Sequence, residues 1–162
     1  MNSHALSALE AFDDTNDDIN TLMHKFIVFR LGREEYALEA LYVSEIVGMQ
    51  FITIVPNVEE YIQGVINLRG KIIPVLDVRL RFGLPSAEYN DRTCIIICHH
   101  ESYGTTGLIV DAVVEVVDIN PDHITDPPKT IKGNQSRFLQ GMAKHGELVR
   151  MIVNIQNMLS AD

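Results

Sequence analysis

The chain has 162 residues, with 13 basic and 22 acidic side chains, a formal net charge of -9 and 46% hydrophobic residues. A chain of this length is typical of one domain and can bury a core without disulfides. The negative charge disfavours binding to nucleic acid and to anionic lipid, because both partners are themselves negatively charged. No apolar run approaches the ~20 residues of a membrane helix, and no secretory signal is evident. We therefore expect a cytoplasmic protein.

The start of the chain differs in composition from the rest. Residues 1–21 carry five acidic side chains and no Lys or Arg. We predict that residues 1–21 form a flexible acidic tail, with at most a transient helix over Ala5–Phe12, because so short a helix is marginal alone. Residues 22–162 are predicted to form the folded part.

From residue 25 onward, short apolar runs are separated by turn residues. Phe26–Leu31 and Tyr36–Glu39 predict two successive strands. Lys71–Phe82 alternates between apolar even positions and several charged odd positions, which predicts a strand with its even face buried and its odd face partly wet. Pro74 lacks a backbone donor, which indicates an edge or a bulge at that point.

The later apolar runs complete a mostly β pattern. Thr93–Cys98 is apolar on both faces, as expected of a strand buried on both sides. Leu108–Val117 is a further apolar stretch, and Leu148–Ile155 predicts the last strand. Because no amphipathic pattern exceeds about two helical turns, we predict a mostly β protein, with a barrel and a sandwich both open.

An internal repeat is visible at an offset of 70 residues, where Ala37–Val47 aligns with Gly107–Val117 without gaps. The order of weaker matches predicts two similar halves of about 70 residues. Those matches pair Gln63-Gly64 with Lys132-Gly133, Leu68-Arg69-Gly70 with Leu139-Gln140-Gly141, and Asp77-Val78 with Asn154-Ile155.

Few side chains suggest catalysis. Cys94, Cys98, His99 and His100 lie close in sequence, and thiols and imidazoles are zinc ligands. On a strand, however, His99 points away from the other three, so we expect two reduced core cysteines, no metal and no cofactor. Since catalytic motifs are also missing, we predict that the protein is not an enzyme. A small metal-binding enzyme using Cys94, Cys98 and His99 is the alternative from another class.

Four basic side chains, Arg69, Lys71, Arg79 and Arg81, fall close together in an otherwise acidic chain. One interpretation is solvated charge on a strand face. The other is that Arg69, at a turn beside Gly70, presents its planar guanidinium to a carboxylate or carbonyl of a partner. The second interpretation predicts a binding module.

The segment Ile66–Arg79, INLRGKIIPVLDVR, resembles the signature of the CheW family of bacterial chemotaxis coupling proteins, and the resemblance runs from about Lys25 to Leu159. It implies two intertwined five-stranded SH3-like β barrels with short helical turns. It also implies a non-enzymatic adaptor that couples the cytoplasmic tip of methyl-accepting chemoreceptors to the regulatory domain of the histidine kinase CheA. Such adaptors are recruited to receptor arrays at the inner membrane. A CheW-like adaptor of another chemosensory pathway, such as pilus-based motility, is the alternative.

The resemblance further implies a receptor-contacting groove between the barrels. In the implied arrangement, apolar side chains grip a receptor helix while Arg69 and Glu45 fix its register. Val43 and Glu45 would share one face of an extended strand. Kinase contacts are implied on apolar surface at the barrel ends, with no residue assigned. The receptor-contacting residues carried over by the resemblance are Val43, Glu45, Gly64, Arg69, Cys94 and Val116.

Overall fold

The protein is described by a computed structural model over residues 23–131 and 133–161. The predicted tail, residues 1–21, lies outside the described residues. Short helices follow two of the strands, α1 over Val78–Arg81 and α2 over Ile155–Leu159. The strands of the described part are β1 (Lys25–Leu31), β2 (Glu34–Glu39), β3 (Val43–Gly48), β4 (Ile62–Leu68), β5 (Lys71–Asp77), β6 (Cys94–His100), β7 (Gly104–Val110), β8 (Ala112–Asp118), β9 (Leu139–His145) and β10 (Leu148–Val153).

The strands form two five-stranded sheets. Sheet 1 has the order β8-β1-β2-β10-β9, and sheet 2 has the order β3-β6-β7-β5-β4. Neighbours are antiparallel except for the parallel pairs β2–β10 and β5–β7. The prediction of a mostly β fold with two five-stranded units is confirmed.

The predicted repeat is present in the topology. The strands β1–β5 correspond to β6–β10 in order. Replacing each strand of sheet 2 by its counterpart in the other half gives the strand order of sheet 1. Sheet 1 takes two strands from the first half and three from the second, and sheet 2 does the reverse. The two halves are therefore intertwined, as the resemblance implies. The parallel pairs confirm the offset of 70, because Ala37 opposite Ile152 corresponds to Gly107 opposite Val75.

Two of the weaker repeat matches are wrong. Equivalent backbone bridges join Thr53 to Val65 and Thr125 to Met142, so β4 corresponds to β9 at an offset of 77 residues. Gly64 is therefore equivalent to Gly141, and neither the Lys132-Gly133 match nor the Leu139-Gln140-Gly141 match holds. The cause is a longer connection between β8 and β9 than between β3 and β4. The match of Asp77 with Asn154 has the same offset of 77 and is correct.

Asp77 and Asn154 lie at the boundary between a strand and the short helix that follows it. The Asp77 carboxylate accepts a hydrogen bond from the Leu80 amide at 3.3 Å, and the Asn154 side chain accepts one from the Asn157 amide at 3.0 Å. Both are N-caps, which satisfy a donor that the first helical turn leaves open. The strands predicted over residues 71–82 and 148–155 therefore end at Asp77 and at Val153.

The predicted burial of β5 is wrong for the first part of the strand. Ile72 is 64% exposed and Pro74 is also exposed, whereas Ile73 and Val75 are buried. The odd positions carry apolar side chains too, and these fill an apolar cluster on one face of sheet 2. Pro74 pairs with Val65 of β4 on one side of β5. On the other side, pairing with β7 begins only at Val75, so β5 is an edge at Pro74, as expected.

Over residues 23–131 and 133–161, the core consists of three apolar clusters. The largest lies between the sheets and combines Phe29 and Leu38 of sheet 1 with Ile96 of sheet 2. Two smaller clusters cover the other face of each sheet. Cys94 and Ile96 face the large cluster while Ile95 faces a smaller one, so the prediction that this strand is buried on both sides is confirmed. No helix in the described residues is long and apolar enough to span a membrane.

Candidate functional site

A two-residue turn presents Arg69 at the tip of the β4–β5 hairpin. Leu68 pairs with Lys71 across the turn, and the intervening Arg69 and Gly70 have φ angles of 53° and 87°. Positive φ at both central residues is the type I′ turn, which matches the twist of the flanking strands. The Asn67 carboxamide oxygen accepts a hydrogen bond from the Gly70 amide at 2.9 Å. The turn therefore holds Arg69 in a defined place, as its sequence context predicts.

Arg69 pairs with Glu45 across the open side of sheet 2. Arg69 Nη1 donates to Glu45 Oε2 at 2.8 Å, and the side chains are 71% and 25% exposed. The hydrogen bond and then the charge of Glu45 raise the pKa of Arg69 above its ordinary value. Because Glu45 lies on edge strand β3 and Arg69 follows edge strand β4, the ion pair joins the two edges of the sheet.

A β-bulge places Val43 and Glu45 on different faces, contrary to the prediction. Val43 pairs with Cys98 and Glu45 with Ile97, so Ser44 is an extra residue in β3. An extra residue shifts the alternation of side chains by one position. Val43 accordingly packs into the large cluster, whereas Glu45 lies on the side of the ion pair.

Three of the apolar site residues meet in the large cluster. Val43 is 5% exposed and Cys94 is fully buried, and the partly buried Val116 packs against the same cluster from sheet 1. Val43 and Cys94 lie beneath the surface and offer a partner no exposed side chain.

Gly64 lies at a close crossing of two chain segments. It is buried on β4 with φ of +143°, and a Cβ atom there would lie 2.1 Å from the carbonyl oxygen of Thr53. The Thr53 amide donates to Val65 at 2.8 Å, and the Val65 amide donates back to Thr53 at 2.9 Å. Gly64 thus fixes the segment between β3 and β4 against the sheet.

The same segment carries two exposed side chains that the sequence reasoning missed. Phe51 is 87% exposed and Ile54 is 82% exposed, the largest values among the exposed large hydrophobic residues of the described part. An available signal was the largely apolar run FITIV immediately before Pro56. Ile52 of this run packs against the small cluster of sheet 2, whereas Phe51 and Ile54 face away from it. Exposed large apolar side chains on a fixed segment are typical of a contact surface.

Of the other three basic residues, Lys71 is exposed beside Arg69 on the same hairpin, but Arg79 and Arg81 do not extend this surface into one patch. Arg79 Nε donates to Asp111 Oδ1 at 2.8 Å. Arg81 is 4% exposed, lies 4.2 Å from the centre of the Tyr61 ring and donates to the carbonyl of Met158 at 3.0 Å. Arg79 and Arg81 therefore have structural roles.

The cysteines and histidines are placed as core and strand-end residues. Cys94 and Cys98 are free and buried, and burial raises the pKa of both thiols. His99 Nδ1 lies 3.0 Å from Thr105 Oγ1, and the His100 ring stacks on Tyr42. Over residues 23–131 and 133–161, no three His, Cys, Asp or Glu side chains are arranged to hold a metal ion.

Comparison with known proteins identifies relatives of the whole described part. The model of the CheW-like domain matches residues 25–162. The chain is 32% identical over 142 residues to the chemotaxis protein CheW of Klebsiella aerogenes, covering 88% of this chain and 85% of that protein. It is 31% identical over 153 residues to CheW of Helicobacter pylori, covering 94% and 92%.

A solved structure agrees with these relatives. The crystal structure of the scaffolding protein TtCheW from Thermoanaerobacter tengcongensis has a TM-score of 0.77 and 37% sequence identity to this chain. The similarity covers 86% of this chain and 94% of TtCheW. With its two intertwined five-stranded sheets and its match from residue 25 to residue 162, the chain belongs to the CheW-like family.

Proposed function

We propose that this protein is a non-catalytic adaptor that couples the cytoplasmic tip of a chemoreceptor to the regulatory domain of the histidine kinase CheA. Family membership supports the adaptor role, since relatives are named chemotaxis protein CheW and TtCheW is called a scaffolding protein. The exposed Arg69 guanidinium, held by Glu45 at the tip of a hairpin, is the observation that carries the receptor site. Surface complementarity, without turnover of a substrate, accounts for this arrangement.

The proposed receptor contact uses the polar pair directly and the buried residues indirectly. An Arg side chain has five donors, and Glu45 receives one hydrogen bond from Arg69. The remaining donors on this highly exposed side chain suit a carboxylate or carbonyl on a receptor helix. Val43, Cys94 and Val116 would set the shape of the adjoining surface from below, and Gly64 would hold the neighbouring segment.

The proposed kinase contact is the segment that displays Phe51 and Ile54. A large aromatic and a β-branched side chain, both more than four-fifths exposed, are suited to filling pockets on a partner. The two backbone hydrogen bonds between Thr53 and Val65 fix this segment, so that little conformational freedom is lost on binding. This gives the kinase a surface of different chemistry from the polar receptor contact.

Receptor binding is tested with purified full-length variants and a receptor-tip fragment. Arg69→Ala and Glu45→Ala are each expected to weaken binding about tenfold or more, with an unchanged thermal melt. Lys25→Ala is the matched control, because it removes another surface ion pair, to Asp118 at 3.2 Å, on a different sheet. Unchanged receptor affinity in both Arg69→Ala and Glu45→Ala would reject the receptor site.

Kinase binding is tested separately with the regulatory domain of CheA. Phe51→Asp and Ile54→Asp are expected to weaken kinase binding at least tenfold and to leave receptor binding unchanged. Tyr103→Asp, at a residue that is 39% exposed, is the control. Equal loss of both partners would indicate one shared surface and contradict the assignment.

The location and pathway follow from the partners in this proposal. An adaptor of this kind is recruited from the cytoplasm to receptor arrays at the inner membrane. Reconstitution with the kinase and the receptor tip of each pathway in turn distinguishes chemotaxis from another chemosensory pathway, such as pilus-based motility. Formation of a ternary complex with the kinase of only one pathway identifies the pathway.

A further inference from the structure

A continuous groove follows edge strand β9 of sheet 1. It consists of four adjoining depressions, and each shares lining residues with the next. Ile119 lines the first and second, Lys144 the second and third, and Val149 the third and fourth. The largest depression has a volume of about 410 Å³. We call this feature the β9 groove. It lies on sheet 1, whereas the proposed partner contacts at Arg69 and Phe51 belong to the hairpin and segment beside sheet 2.

One end of the β9 groove coincides with the first described residues of the chain. The depression at that end is lined by His24, next to the point where residues 1–22 join the fold. The ten residues from 13 to 22 can span up to roughly 33 Å when extended. The seven-residue strand β9 is about 24 Å long. Residues 1–12 can therefore reach the far end of the β9 groove.

The near part of the groove is lined by side chains that suit an acidic segment. Lys144 is exposed and pairs with no acidic side chain of the described residues, and His123 and His145 lie in the same depression. The acid in that depression, Asp118, is already paired with Lys25 at 3.2 Å. Arg150 also lines the depression, but its charge is compensated by Glu35 and Glu115.

The far part of the groove is mainly apolar. Met142 and Val149 line it together with Leu148 and Met151. Leu148 is 57% exposed and Val149 is 44% exposed, so apolar surface remains uncovered in the described part of the protein. The charged side chains at this end are Arg33, Glu34, Glu35 and Glu147.

The order of residue types in the N-terminal segment matches the order along the groove. Residues 10–18, nearer to the fold, hold all five acids of the segment, and residues 5–9 read ALSAL without a charge. A segment that leaves His24 and follows β9 would bring its acids to Lys144 and the histidines. Its apolar residues would then reach Met142 and Val149.

We propose that residues 1–22 of this chain dock into the β9 groove of the same molecule. The acidic part binds beside Lys144, and Leu6, Leu9 and Phe12 cover the apolar surface around Val149. The docked segment adds cover to edge strand β9, whose outer side is bridged at Met142 by Thr125. It also covers the exposed Leu148 and Val149 side chains.

The test is paramagnetic relaxation in the full-length ¹⁵N-labelled protein, with a nitroxide attached through Ser7→Cys. The native cysteines are fully buried, so labelling is confined to residue 7. The amide signals of Met142, Lys144 and Val149 are expected to be lost in the oxidised sample and to return when the nitroxide is reduced. Raising the salt concentration should weaken the effect, because the acidic part binds through charge.

Two groove variants and one matched control make the test specific. Lys144→Glu and Val149→Asp in the labelled protein should restore the groove signals. Ile72→Asp should leave them lost, because Ile72 is the equivalent of Val149 in the other half and is similarly exposed, at 64%. Lys144 is exposed on the strand surface, so its variant folds even if Val149→Asp disturbs the strand.

Two outcomes would overturn the proposal. The first is retention of the groove signals in the oxidised sample, or their loss around Phe51 instead. The second comes from a mixture of two samples. One protein carries the nitroxide but no ¹⁵N, and the other carries ¹⁵N but no nitroxide. Loss of groove signals in that mixture would show that the occupant is a second copy of the chain.

Discussion

Arg150 is a buried cation in sheet 1, and its replacement by Met is expected to lower the free energy of unfolding by about 3 kcal/mol. Arg150 Nε donates to Glu35 Oε1 at 3.0 Å, and Nη2 donates to Glu115 Oε2 at 2.7 Å. The Arg150 and Glu35 side chains are only 6% and 9% exposed. Removing the cation leaves the Glu35 carboxylate buried with part of its compensation gone.

The expected magnitude follows from what remains around Glu35. Breaking a buried ion pair by removing one partner costs about 3–5 kcal/mol. The lower end applies here, because Arg30 still donates to Glu35 Oε2 at 3.1 Å. The Glu115 side chain is 45% exposed, so its pairing with Arg150 adds at most ~1 kcal/mol. Water can solvate Glu115 once the guanidinium is removed.

The repeat supplies an internal control for this prediction. Arg150 pairs with Ala143 as Ile73 pairs with Ile66, so Ile73 occupies the equivalent position in sheet 2. Glu35 corresponds to Thr105 at the offset of 70. The double variant Arg150→Ile with Glu35→Thr is therefore expected to recover most of the loss, since replacing both partners of a buried pair is often nearly neutral.

Urea-induced unfolding of the full chain at neutral pH measures both changes, through a shift of the midpoint at constant m value. A loss below about 1 kcal/mol for Arg150→Met would show that the buried Glu35 carboxylate is compensated without Arg150. A double variant less stable than the single one would contradict the idea that the uncompensated charge causes the loss.

Four further substitutions test the local structure. Gly64→Ala is expected to cost at least about 2 kcal/mol, whereas Gly70→Ala, with open space around it, should cost about 1 kcal/mol for its positive φ alone, as measured by urea unfolding. Asn154→Ala removes an N-cap and is expected to lower the melting temperature, in line with a loss of about 1 kcal/mol. Burial raises the pKa of Asp111, but hydrogen bonds from Arg79 and a backbone amide outweigh burial and hold that pKa below its ordinary value of 3.8. The resulting stabilisation is present above pH 3.8 and is lost as the pH falls through the lowered value, so Asp111→Asn should flatten the acid limb of a plot of unfolding free energy against pH.

Much of the fold could be predicted from the sequence because strands and turns have local signals. Apolar runs and their turn residues located most strands, and the gap-free match of 37–47 with 107–117 revealed the two halves. The register of the later repeat was missed because the extra residues between β8 and β9 can be placed anywhere in that connection. The structure shows that Gln63-Gly64 is equivalent to the identical pair Gln140-Gly141, and that in each half a crossing segment excludes a Cβ atom at the glycine.

The site was less predictable because its geometry depends on contacts distant in sequence. Glu45 and Arg69 are 24 residues apart, and only the meeting of two sheet edges brings them within 2.8 Å. Alternation alone placed Val43 beside Glu45, because a one-residue bulge at Ser44 has no sequence signal here. Burial of Cys94, in contrast, follows from the unbroken apolar run TCIIIC and was predicted.

Equivalent glutamates in the two halves pair with arginines of very different exposure. Glu45 and Glu115 correspond at the offset of 70, and each accepts a hydrogen bond from an arginine. The partner of Glu115 is Arg150, a buried strand residue that no other protein can reach. The partner of Glu45 is Arg69, which lies outside the sheet on a hairpin tip and is 71% exposed. Because a guanidinium in water can exchange one acceptor for another at little cost, a bound protein can compete for Arg69. Of these two pairs, only the one in sheet 2 can therefore exchange an internal contact for a partner while the core remains unchanged.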